Sequence, residues 1–298
     1  MTTTAPTPTP STPAPSTPVA QVRLPEGTAT HDLRAIKVVW KREMIRFSQD
    51  RIRIVTALVQ PILYVFVLGT GLSSLTHGQT GNVSLRTFIF PGVLALSVLF
   101  TAMFSAVSIV WDREFGFLRE MLVAPVRRSA IITGKCLGGA TVATIQGAIV
   151  LAMAGLVHVP YAPVMLVTLF FEMMLLGFAV TAFGLVIAAR VKQIQSMMGL
   201  MQAILMPLMF LSGALYPLSS LPGWLNVLVH INPITYAVHP FRQAVFAHIT
   251  ASPLARARLN PPLTWWGWHV PIPLQLAVVL VTGLILLGVA ILEFDRAD

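Results

Sequence analysis

Residues 52–72 read IRIVTALVQPILYVFVLGTGL. Apart from Arg53 near its start, the run carries no charge. An α-helix rises 1.5 Å per residue, so about 20 such residues cross the hydrocarbon layer of a bilayer. Working outward from this run, further apolar stretches over 88–110, 136–157, 164–189, 197–217 and 272–292 bring the predicted spans to six. Composition agrees: 55% of the 298 residues are hydrophobic and 10% are charged, whereas soluble domains carry roughly 25% charged residues. The sequence therefore predicts an all-α integral membrane protein.

Residues 1–30 are rich in Thr, Pro, Ser and Ala, with too few large apolar side chains to offset the entropy of ordering them. They are expected to form a disordered cytoplasmic tail, and they lack the continuous apolar core of a secretory signal. Over 31–51 the pattern becomes amphipathic, with Leu33, Ile36, Trp40, Met44 and Phe47 at helical spacing among Arg34, Lys37, Lys41, Arg42 and Arg46. Such a helix either lies in the headgroup layer or packs on a partner. The six-span domain then occupies 52–298, with a cytoplasmic loop over 111–135 and an external segment over 218–271. Pro222, Pro233 and Pro240 divide that external segment into pieces too short to cross, expected to be re-entrant or interfacial. Trp265, Trp266 and Trp268 precede the last span, where aromatic rings favour the headgroup level.

Six spans put both termini on one side. On this layout sixteen of the 20 Lys and Arg residues fall on the side of the termini. The positive-inside rule makes that side cytoplasmic. The formal charge of +9 thus follows the membrane and gives no reason to expect a nucleic-acid partner. Cys136 is the only cysteine, which excludes an internal disulfide and a polythiolate metal site; packing is its expected role. Gly134-Lys135-Cys136 is not the end of a phosphate-binding loop, because Ser129 stands where the first Gly is needed and Cys136 where Ser or Thr would hold magnesium. No His-Glu-x-x-His pair and no Gly-x-Ser-x-Gly elbow is present. Neither a catalytic residue nor a metal ligand is expected.

The loop beginning at Trp111 suggests a short helix ended by Pro125. Phe115, Leu118 and Leu122 share one face, and Asp112, Glu114, Arg119 and Glu120 add charge of both signs. It either docks on a soluble partner or lies on the membrane. Glu172 sits well inside the fourth predicted span, where an ionised acid costs at least a few kcal/mol. It is read as a helix-joining acid or as a residue of a substrate path. Gln60, Gln146 and Gln202 are polar positions suited to hydrogen bonds between helices. Met197, Met198, Met201, Met206 and Met209 make the fifth span methionine-rich, which suits either ordinary packing or an adaptable apolar wall.

One spaced pattern resembles a known family. Leu205, Leu208, Leu211-Ser212-Gly213-Ala214, Leu221-Pro222, Pro233-Ile234-Thr235-Tyr236 and Arg242 together are similar to the signature of the ABC type-2 permeases, in particular the daunorubicin-resistance-type multidrug exporters. With the loop around Arg113-Glu114, Leu118-Arg119-Glu120 and Pro125, the resemblance covers about residues 32–298. It implies a permease that pairs with a separate ATP-binding subunit, forms a homodimer in a two-plus-two complex within membrane lipid, and resides in a bacterial plasma membrane. No cofactor is expected in this chain, since ATP and magnesium would belong to the partner. Residues 31–51 would be a connecting helix. Glu114, Phe115, Leu118, Arg119, Glu120 and Leu122 would couple the chain to the ATPase, and the external pieces would cover the exit. Spans two and five would wall a substrate path, with Glu172, Met201 and Gln202 as candidates along it. The cargo implied is an antibiotic, drug or lipid; a lipid-linked or polysaccharide precursor is the alternative. A membrane-embedded enzyme or a structural subunit forms the rival class, and the lack of clustered ionisable residues weighs against the enzyme.

Overall fold

The computed structural model describes residues 29–71, 83–116, 126–218, 221–265 and 267–296. Helix α1 (Ala29–Gln49) leads into α2 (Arg51–Gly71), which Asp50 starts by accepting a hydrogen bond from the Arg53 backbone N–H at 3.0 Å. Within α2, Pro61 is followed by a π-helical stretch over Leu63–Leu68. The chain continues through α3 (Leu85–Glu114), α4 (Arg128–Leu151), α5 (Pro163–Arg190) and α6 (Ile194–Leu211). The short helices α7 (Gly223–Ile231), α8 (Thr235–Phe246) and α9 (Pro253–Leu259) come next. A two-residue hairpin, β1 (Thr264–Trp265) on β2 (Trp268–His269), leads to α10 (Ile272–Arg296).

Six of these helices, α2 to α6 and α10, are long and apolar enough to cross a membrane, as predicted. Helix α3 is the hub: it is buried along most of its length, whereas α2, α6 and α10 are exposed along most of theirs. It packs on α4 and α5, and α5 packs on α10. The outer faces of α2, α6 and α10 carry exposed Val55, Val67, Phe210 and Ile285, which lipid tails can cover without penalty.

The structure moves several boundaries. Helix α3 runs on to Glu114, so Trp111 to Glu114 belong to the second span and do not begin a separate loop helix. Helix α4 starts at Arg128, about two turns before the expected position, so Lys135 and Cys136 lie inside it. Charged residues hide such extensions from a hydropathy reading. Pro240 does not divide the external segment either: it lies inside α8, whereas Pro222 and Pro233 do precede helices. Trp265 also ties the external segment together: its Nε1–H donates to the Tyr236 hydroxyl at 2.7 Å and its ring meets the Tyr236 ring edge-on. Trp268 is exposed, and Trp266 lies outside the described residues, as do the tail over 1–28 and residues 117–125.

Candidate functional site

Helix α1 lies along α4. Gly134 and Gly138 allow the close approach, since a Cβ at either would meet Val39 or Glu43 at 2.9 Å. The buried stripe of α1 is therefore Val39 and Glu43, flanked by half-buried Ile36 and Trp40, while Leu33, expected on the apolar face, is exposed. Trp40 Nε1–H donates to Thr141 Oγ1 at 3.0 Å.

Around Glu43 the structure gathers a buried ionic cluster. The Lys135 ammonium donates to Glu43 Oε1 at 2.9 Å and to Ser108 Oγ at 3.1 Å, and lies 2.6 Å from Asp112 Oδ2. Arg42 reaches Asp112 Oδ1 at 2.9 Å, with Arg46 behind it at 3.8 Å. Asp112 is fully buried and Lys135 is 3% exposed. These charges join α1, α3 and α4 at one end of the bundle. Asp112 and Lys135 lie where hydropathy predicts a loop, which hides the cluster in the sequence. An acid at position 43 between Trp40 and Phe47 was the available signal, since that register turns it toward a packed face.

The next two residues extend the junction. Arg113 Nη1–H donates to the Ala188 and Val191 carbonyls at 3.0 and 2.9 Å, closing the end of α5. Glu114 Oε2 accepts from the Ile194 backbone N–H at 2.9 Å, at the start of α6, where a carboxylate also suits the helix dipole. Phe115 follows with 66% of its surface exposed. Three consecutive side chains at the end of α3 thus hold four other helices. Of the predicted coupling residues, Glu114 and Phe115 sit here. Leu118, Arg119, Glu120 and Leu122 lie outside the described residues.

The signature residues converge at the opposite end. Gly213 takes φ +69° in the turn after α6, the left-handed region that glycine favours. Its carbonyl and that of Ala214 accept from Arg242 Nη2–H at 2.7 and 3.3 Å. The Arg242 guanidinium is buried and stands 4.6 Å over the Phe88 ring; burial pushes its pKa down to about 10, so it remains charged at neutral pH. A Cβ at Gly92 would fall 1.8 Å from the Ala214 carbonyl oxygen, which shows how closely α3 backs this turn. Ser212 donates to the Met209 carbonyl, Leu205, Ala214, Ile234 and Tyr236 are buried, and Tyr236 donates to the His230 carbonyl at 2.8 Å. Leu211 lends its carbonyl to Thr235 Oγ1, Leu208 lends its own to Asn232 Nδ2, and Pro222 starts α7 beside half-buried Leu221. The pattern is a clamp between α6 and α8. Asn232 and the buried His239–Gln275 pair, 3.0 Å apart, complete it from outside that pattern.

Two cavities flank α3. One of about 470 Å³ opens between α2 and α3, bordered by Arg46, Arg53, Gln60, Tyr64, Phe100, Trp111 and Gln146. Another of about 190 Å³ is apolar and lies among Met103, Phe183, Leu205, Leu208, Ile234 and Leu286. Glu172, Met201 and Gln202 border neither of these two. Glu172 is 3% exposed and its Oε2 has no hydrogen-bond partner among the described residues, Met201 is buried, and Gln202 is exposed. The glutamines do not join helices as expected. Gln60 donates within its own helix to Tyr64 at 3.3 Å, and both amide atoms of buried Gln146 lack a partner among the described residues.

Six helices long and apolar enough to cross a membrane, with a charged junction at one end and a capped turn at the other, define a polytopic membrane protein. Residues 34–246 match the family model described as ABC-2 type transporter, and the chain belongs to that family. It is 27% identical over 214 residues to a putative transport permease, ycf38, of Cyanophora paradoxa, covering 70% of this chain and 73% of the relative. It is 29% identical over 210 residues to the inner membrane transport permease YadH of Escherichia coli K12, covering 70% and 81%. With the probable multidrug ABC transporter permease YbhR of the same organism it shares 32% over 158 residues, 52% of this chain and 42% of that one. The chain is thus a transport permease subunit of an ABC transporter, and its family implies an ATP-binding partner subunit.

Proposed function

We propose that this chain is the membrane half of an exporter that moves a hydrophobic or amphiphilic compound outward across a bacterial plasma membrane. Two copies would pair with two ATP-binding subunits, which would hold ATP and magnesium and carry out phosphoryl transfer. The observation that carries the reading is the attachment of Asp112, Arg113 and Glu114 to α1, α4, α5 and α6. A push on the adjoining loop would reach four helices through charged contacts, and packed elements of this kind transmit displacement as rigid bodies. Exposed Phe115 supplies an apolar anchor for a soluble partner.

The distribution of basic residues supports a cytoplasmic position for both termini. Tags at the N-terminus, near Arg127 and at the C-terminus should report the cytoplasm, and a tag near Ala251 the exterior; an external N-terminus would overturn this arrangement. Coupling is tested by pull-down of the ATP-binding subunit with Phe115→Ala and Leu118→Ala. Truncating a central anchor costs about 2 kcal/mol, which is well over tenfold in affinity. Association should fall by that factor while expression and membrane insertion persist. Unchanged association in both variants would mean that the loop rests on the membrane without a partner.

A further inference from the structure

We infer that the cavity between α2 and α3 is a binding site for an amphiphile with an acidic headgroup, admitted from the junction end of the bundle. The volume of about 470 Å³ lies within the range of small-ligand pockets. Its charged residues gather at one end. At the junction end stand Arg46 and Arg53, together with Trp111, whose ring lies 5.7 Å from the Arg46 guanidinium carbon. Beyond them the wall is mixed, with Phe104, Phe100 and Leu96 beside Ser97, Thr101 and Gln146. An acidic head at the basic end, with an apolar chain laid along this wall, matches that arrangement.

The polar groups here are under-satisfied, which is the second and independent observation. Arg46 Nη1, Arg53 Nη2 and both amide atoms of Gln146 are buried without a hydrogen-bond partner among the described residues. Gln146 is wholly buried at the back of the cavity. Buried polar groups are ordinarily paired, so several orphans bordering one cavity point to a ligand that supplies the missing partners, acceptors for the two guanidinium groups above all. Asp50 also borders the mouth; its Oδ1 accepts the Arg53 backbone N–H as the cap of α2, and its charge offsets part of the positive charge there. Counting the neighbouring ionic cluster, the basic groups Arg42, Arg46, Arg53 and Lys135 outnumber the acids Glu43, Asp50 and Asp112. Of the charged residues that border the cavity itself, two are basic, Arg46 and Arg53, and one is acidic, Asp50. Beside the cavity, the π-helical turn after Pro61 widens α2 next to Tyr64, a distortion frequent at functional sites.

Identifying the occupant as cargo rests on the exporter reading, whereas its binding does not. The test therefore separates the two. The purified full chain in neutral detergent is titrated with phosphatidic acid carrying a fluorescent acyl chain, with phosphatidylcholine of identical chains, and with inorganic phosphate as competitor. Charge-assisted hydrogen bonds at the mouth should give phosphatidic acid an affinity about tenfold or more above phosphatidylcholine. The pair Arg46→Gln and Arg53→Gln should erase that preference, and Arg53→Lys alone should keep most of it, which guards against a folding defect. Millimolar phosphate should fail to displace the lipid. Equal affinities for the two lipids, a preference that survives the paired substitution, or displacement by phosphate alone would each overturn the inference. The same probe in vesicles with the ATP-binding subunit then reads transport: tight binding with no ATP-driven movement would leave the site standing and overturn the exporter reading.

Discussion

Lys135→Met should be among the most damaging single substitutions in this chain, lowering stability by about 3–5 kcal/mol, the range for breaking a buried ion pair from one side. The ammonium is the group that touches Glu43, Asp112 and Ser108 together. Methionine fills much of the same volume, so the loss is electrostatic rather than steric. Asp112 would keep Arg42 at 2.9 Å, whereas Glu43 would retain only the 3.4 Å contact from Ser108 among the described residues. Adding Glu43→Gln should consequently recover most of the loss, because a neutral amide removes the stranded charge. Thermal unfolding of the detergent-purified variants reads this directly. A double variant no better than Lys135→Met would show that the two residues do not share one interaction.

Arg242→Met should cost about 3 kcal/mol, since it strips two charge-assisted donors from the Gly213 and Ala214 carbonyls and leaves those acceptors buried. The turn cannot retreat to find other partners, because α3 backs it at Gly92. Arg242→Lys should restore only part of the loss, as one ammonium does not reproduce a planar guanidinium that also stacks over Phe88. The expected phenotype is a loosened seam between α6 and α8 with the ionic junction intact, so thermal unfolding should fall while the ATP-binding subunit is still retained. Loss of partner binding in Arg242→Met would contradict the assignment of the signature as a structural clamp.

The apolar runs were legible because length and hydropathy alone set a spanning helix, and all six appear. The charged ends of α3 and α4 were not, and the reason is the same in both. Hydropathy reads Asp112, Arg113 and Glu114 as loop because they are charged, yet each side chain pairs with a group from another helix, so the helix continues through them. Lys135 was hidden likewise, its charge neutralised by acids 23 and 92 positions away in the chain, Asp112 and Glu43. Pairings at that separation leave no periodic trace. The signature was legible as a pattern of types, while its use as a clamp depended on the turn at Gly213 meeting Arg242 in space. Glu172 shows the converse: its depth could be read from its surroundings in the sequence, but not that one of its oxygens would stand without a partner among the described residues.

The central claim is that this permease moves cargo outward with energy received through the end of α3. The most direct measurement is uptake of a labelled amphiphile into inside-out vesicles containing the chain and its ATP-binding subunit, with the native sequence and with Phe115→Ala. Uptake should require ATP, and Phe115→Ala should lose transport and cargo-stimulated ATP hydrolysis together while the chain stays in the membrane. Movement that proceeds without ATP, or that persists undiminished in Phe115→Ala, would contradict the account.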